Sequence, residues 1–147
     1  MTTYPQGLDG WSHADLLTTL ARCDPERLRG FADPLVATLP EIRVIENRTG
    51  LVMLPMRDTA QGTHFHLGEV LVSEAHIAAA GQEGYGLRRG RDLQAAMAMA
   101  VVDLCVALGH QTDTCAGFIA VEAQRQRDED VETLRKVEAT RVDMETF

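Results

Sequence analysis

The clearest pattern in the sequence runs from Leu93 to Leu108, where Leu93, Met97, Ala100, Val101, Leu104 and Leu108 hold the i, i+3, i+4 spacing of a helical stripe and Gly109 follows as a C′ residue. A stripe of that kind must pack on something, and the preceding segment supplies a surface. From Pro40 the period shortens to two. Ile42 and Val44 alternate with polar neighbours, Asn47 to Gly50 is rich in turn formers, and Leu51 to Leu54 is apolar again, which predicts a β-hairpin. Arg57 to Thr63 predicts a polar loop. Phe65, Leu67, Leu71 and Ile77 then fall on the odd positions of a long extended segment in which Gly68 marks a bulge. Gly81 to Gly84 predicts a turn and Tyr85 to Arg88 a fourth strand. Strands in sequence with short links pair antiparallel, because parallel pairing needs long crossovers. The expected fold is therefore α+β, an antiparallel meander of about four strands packed against helices.

Two helices are expected before the sheet. Ser12 with Asp15 forms a variant capping box ahead of Leu16, Leu17, Leu20 and Ala21, and Asp24-Pro25-Glu26 repeats the start signal with proline at the first helical position. Leu28, Phe31, Ala32 and Leu35 continue at helical spacing, although Gly30 and Pro34 predict a short or broken helix. After His110 to Asp113 a long C-terminal helix follows, with Phe118, Ile119 and Val121, a polar run from Glu122 to Asp130, and then Val131, Leu134 and Val137. So thin a stripe either projects toward another chain or is solvated and held by pairs such as Glu132 and Lys136, each worth about 0.2–0.5 kcal/mol. Residues 1–10 read as a mobile tail, and 140–147, with Val142, Met144 and Phe147, as a tail without an internal partner. With 45% hydrophobic and 24% charged residues, the 147 residues suit one globular domain.

The formal charge is −8, which disfavours nucleic acid and anionic membranes as partners. Cys23, Cys105 and Cys115 lack CxxC spacing and suggest neither a disulfide framework nor a zinc knuckle. With no signal-like segment and no run of 18 apolar residues, the chain reads as soluble and cytoplasmic. His64 and His66 share one face of a strand and offer two metal ligands, but no third is fixed by spacing, and His76 lies about 30 Å further along an extended strand. No GxSxG elbow surrounds Ser12 or Ser73, and Cys105 sits among apolar residues as a small filler. No catalytic residue is assigned.

The most suggestive stretch is Gly84-Tyr85-Gly86-Leu87-Arg88-Arg89-Gly90-Arg91-Asp92, where a strand runs through three arginines into the apolar helix. It matches neither the P-loop nor the GxGxxG pattern. Free N–H groups at a helix start beside guanidiniums suit an anion, so Arg88, Arg89 and Arg91 are candidate phosphate or phosphonate ligands. The plainer alternative is a tight strand-to-helix turn whose arginines pair with acids of the chain.

Four blocks in order then resemble the PhnG subunits of the bacterial carbon-phosphorus lyase system: Thr49-Gly50-Leu51-Val52-Met53, Phe65-His66-Leu67-Gly68-Glu69, Gly90-Arg91-Asp92 with Ala95 and Asp103, and Thr140-Arg141-Val142-Asp143. The tail departs from the usual pattern by lacking an aromatic directly after Asp143, and residues 110–130 match loosely. The resemblance implies a subunit that assembles with PhnH, PhnI and PhnJ. With PhnI, PhnH and the ATP-binding PhnL it implies displacement of adenine from MgATP by a phosphonate, giving ribose 1-phosphonate 5-triphosphate. It places carbon-phosphorus cleavage on the iron-sulfur, S-adenosylmethionine-dependent PhnJ, no cofactor on this chain, and partner contacts at Arg141, Val142, Asp143 and Phe147. Two alternatives remain open from the residues: a stand-alone metalloenzyme using His64 and His66, and a homodimeric anion-binding module at Arg88 to Arg91.

Overall fold

The computed structural model of the chain describes residues 7–142. The order is α1 (His13–Arg22), α2 (Pro25–Val36), β1 (Arg43–Arg57), β2 (His64–Ala79), β3 (Gln82–Arg89), α3 (Leu93–Leu108) and α4 (Thr112–Ala139). Both early helices begin where capping residues put them. Ser12 Oγ accepts the Asp15 backbone N–H at 3.1 Å, and the Asp24 carboxylate accepts those of Glu26 and Arg27 at 3.0 Å each. α2 runs unbroken through Gly30 and Pro34, so the bond to the Gly30 carbonyl that Pro34 has no N–H to make is lost near the end of the helix without stopping it. Leu8 belongs to the core at 5% exposure.

The sheet is an antiparallel meander in the order β1-β2-β3, with three strands rather than four. The hairpin expected at Asn47 to Gly50 does not form. β1 passes straight through, with Asn47 opposite Ala75 and Gly50 opposite Val72. The chain reverses instead at the polar loop, where the Asp58 carboxylate accepts the N–H groups of Ala60 and Gln61 and the Asp58 N–H donates to Thr63 O. β2 is 16 residues long and offers β1 a partner along its whole length, so continuing the ladder outcompetes a local turn. The register shift beside Gly68 leaves Leu67 unpaired, the bulge expected there. Ala80 and Gly81, at φ 48° and 80°, form the two-residue turn into β3.

The apolar pattern of α3 is not a stripe but a girdle. Ala95, Ala96, Ala98, Met99, Val102, Cys105 and Val106, which lie between the stripe positions, are buried as well. A helix apolar all round belongs inside a domain. One side of α3 meets the sheet through Gly84 and Gly86, where a Cβ would collide with the carbonyl oxygens of Ala100 and Ala96. Its other sides meet α1, α2 and α4.

Two parts of the chain extend beyond this body. β3 ends opposite Val72, so Leu51–Arg57 and His64–Leu71 continue as a two-stranded ribbon, seven residues long and therefore reaching roughly 23 Å. α4 buries Cys115, Ile119, Glu122, Ala123 and Gln126, whereas residues 127–142 are exposed throughout.

Candidate functional site

The junction of β3 and α3 is built around Ser73 and Asp92. Ser73 Oγ donates to Gly90 O at 2.7 Å and accepts the Asp92 N–H at 2.9 Å, which holds the turn against β2. The Asp92 carboxylate caps α3 by accepting the Ala95 N–H at 2.9 Å, and Arg29 bridges to its second oxygen at 3.1 Å. The helix start thus already holds an anion, its own aspartate.

Arg88 and Arg89 border one cleft, and Arg91 lies outside it. Arg88, 9% exposed, donates to Leu20 O and Cys23 O at 2.5 and 2.6 Å and so satisfies carbonyls at the end of α1. Burial lowers its pKa from the ordinary arginine value, yet a guanidinium stays charged. Arg88 is therefore a strut between β3 and α1. Arg89 is exposed in register with Val72, on the sheet face away from α3, and lines a cleft of about 390 Å³ with Ala21, Arg22, Val72, Leu87 and Arg88. Arg22 is itself bound to Asp130 at 2.7 Å. Arg91 is exposed in the turn.

His64 and His66 lie on the ribbon opposite Arg57 and Pro55, both exposed. Among the described residues no cluster of three or more His, Cys, Asp or Glu side chains forms around them or elsewhere. His76 is stacked on Tyr85 with centroids 4.2 Å apart, and its Nε2 stands 3.3 Å from a Glu83 oxygen that also accepts the Tyr85 hydroxyl at 2.7 Å. The tyrosine's hydrogen bond first, and then the nearby His76 ring, hold the Glu83 carboxyl below its usual pKa. All three cysteines are buried. Burial, reinforced by Glu122, pushes the Cys23 thiol up to about 12, and Cys115 is raised by its hydrogen bond to Cys105 and by burial. Raised thiols of this kind are poor nucleophiles.

Two buried carboxylates escaped the sequence reading as organisers of the molecule. Asp103, fully buried in α3, lies 2.9 Å from His13 Nε2 and accepts the Tyr85 N–H at 2.9 Å, so it joins α1, β3 and α3. A buried carboxylate orienting a part-exposed imidazole is also an arrangement used in acid–base catalysis. Glu122, 2% exposed, takes a two-pronged bridge from Arg27 at 2.9 and 3.1 Å and ties α4 to α2. Their partners lie 90 and 95 residues away in sequence, beyond any local spacing rule.

The surface is apolar where the chain extends. The ribbon exposes Leu51, Val52, Met53, Leu54, Met56, Phe65 and Leu67, the sheet face away from α3 adds Tyr85 and Leu87, and the far half of α4 shows Val131, Leu134 and Val137. Of the tail residues, Arg141 and Val142 are exposed, whereas Asp143 and Phe147 lie outside the described residues. No helix among the described residues is long and apolar enough to cross a membrane.

A small antiparallel sheet packed on a buried helix, with apolar surface concentrated on two extensions, defines an α+β protein. The comparison with protein families gives it a metabolic setting: the model described as "Phosphonate metabolism protein PhnG" matches residues 13–147. The chain belongs to the PhnG family and is a phosphonate metabolism protein. No curated protein matches it.

Proposed function

We propose that this chain is a subunit of a carbon-phosphorus lyase core assembly that supports exchange of a phosphonate for adenine on MgATP, giving ribose 1-phosphonate 5-triphosphate. The observation that carries the reading is membership of the PhnG family over nearly the whole chain, joined to apolar surface left open on the ribbon and on α4. The partners are PhnI-, PhnH- and PhnJ-type subunits, with a PhnL-type chain in the ATP-dependent step, in the cytoplasm.

The exchange needs a phosphonate oxygen held against C1′ of the ribose, cations around the triphosphate and a proton for the departing base. This chain contributes little of that itself. Arg89 and Arg91 are its exposed cations at the junction, Arg88 is engaged with α1, and Asp92 fills the helix start. The reacting groups accordingly belong mainly to partners, PhnI foremost. This chain brings scaffold, and its tail from Arg141 through Val142 and Asp143 to Phe147 adds partner contacts.

The test is co-expression with a PhnI-type chain from the same source, with light scattering on the eluted species, for the full chain and for a version ending at Thr140. Co-elution, lost or weakened on truncation, is the expected result. A folded full chain that elutes alone from every such partner overturns the reading and returns attention to anion and metal binding by the chain itself.

A further inference from the structure

Resting on the assembly reading above, we infer that the ribbon Leu51–Arg57/His64–Leu71 is an arm that inserts into an apolar groove of a non-identical protein subunit, and that this subunit sets a basic side chain opposite Glu69. Cross-strand partners share a face. Val52, Leu54 and Met56 with Phe65 and Val70 line one face of the arm, and Leu51 and Met53 with Leu71 and Glu69 line the other. Apolar side chains on both faces of a two-stranded ribbon have no interior to enter. Six of them, and Leu67 at the bulge, are 41–62% exposed, together roughly 700 Å² of surface, close to the roughly 800 Å² per partner of a standard stable interface.

Charge selects the occupant. Arg48 is engaged with Glu46 at 3.4 Å and Glu74 at 3.1 Å, Arg57 donates to Gly62 O, and the Asp58 carboxylate holds the loop at the tip. Glu69 is the carboxylate left over, exposed beside Met53 and without a partner among the described residues. A carboxylate covered by a partner surface is tolerated when a cation meets it. A second copy in arm-to-arm contact would bring another Glu69 and would double a charge of −8. A different chain with a basic groove satisfies both the apolar faces and the acid.

The experiment uses the full chain, co-expressed with PhnH-, PhnI- and PhnJ-type chains, as wild type and as Phe65→Asp, Leu67→Asp, Glu69→Gln and Glu69→Lys. These side chains are exposed, so circular dichroism and melting should match the wild type. The expected result is a complex for the wild type, a loss of at least tenfold in affinity for Phe65→Asp, Leu67→Asp and Glu69→Lys, and a flatter salt dependence for Glu69→Gln. Backbone amides of 51–57 and 64–70 should gain protection from hydrogen exchange in the complex. A complex that forms equally well with all four variants, with the ribbon unprotected, overturns the arm and leaves the assembly reading intact. A dimer of the chain alone that Leu67→Asp dissolves makes the occupant a second copy and overturns the inference. Absence of any complex with the wild type overturns the assembly reading first, and the arm with it.

Discussion

Gly86 and Asp103 show how single side chains hold the strands to the buried helix. A methyl group at Gly86 meets the Ala96 carbonyl in α3, which is backbone and cannot rotate away. Gly86→Ala should cost about 2–3 kcal/mol in urea unfolding, as overpacking does. Asp103→Ala strands the Tyr85 N–H and unties His13, so a loss of about 3 kcal/mol is expected, against less than about 0.5 kcal/mol for the exposed Arg89→Ala. Acid sensitivity also begins at single residues. Asp24 is held below its ordinary pKa by the Arg27 backbone N–H, and Asp130 by Arg22. A carboxylate depressed in the folded state adds stability above its unfolded pKa, near 4, and loses it as pH falls through the folded value. Asp24→Asn keeps a capping oxygen but does not titrate. It should narrow the difference in melting temperature between about pH 7 and pH 3, by lowering the value at pH 7 and leaving that at pH 3 nearly unchanged. Caps such as Ser12, Asp24 and Gly109 were legible in the sequence because donor and acceptor lie within a few residues. Arg88 was not, since a guanidinium at the end of a strand looks the same whether it meets a ligand or a carbonyl 65 residues away.

Elements were legible where the pattern was long and local. Four helices stand where periodicity and caps predict them and the polar loop falls in its predicted stretch, whereas the turn into β3 is Ala80-Gly81 and the stretch from Gln82 to Gly84, predicted as turn, is already strand. The first hairpin was misread because Asn47-Arg48-Thr49-Gly50 has turn chemistry, and the decision against it is made by a partner strand that composition does not display. α3 was read as a stripe because its alanines count weakly in a pattern, yet they are what lets Gly84 and Gly86 approach so closely. At this scale α4 is two objects in one. Its first half is fastened by Glu122 and Gln126, and beyond Asp130 only pairs such as Lys136–Glu132 at 3.9 Å stabilise it. Ending the chain after Asp130 should therefore leave the unfolding free energy within about 0.5 kcal/mol of the full chain. The same truncation should weaken co-elution with a PhnI-type partner.

For the whole molecule, charge and composition pointed away from nucleic acid, and four short sequence blocks pointed to the PhnG family before any fold was in view. What they could not convey is which apolar residues stay uncovered, because Leu51 and Leu104 read alike in one dimension while one is 62% exposed and the other fully buried. At the junction from Arg88 to Asp92, Arg88 and Asp92 are engaged internally while Arg89 and Arg91 stay exposed, and the apolar surface lies on the ribbon and the far end of α4.

The central position of α3 has a consequence for synthesis. Its covering comes from α1 and α2 on one side in sequence and from α4 on the other. A ribosome that has released the chain only as far as Leu108 therefore presents a helix greasy on every side with part of its jacket still untranslated. Folding as one unit must wait for the last quarter of the polypeptide, and until then the nascent chain is a client for whatever holdase meets it at the exit tunnel.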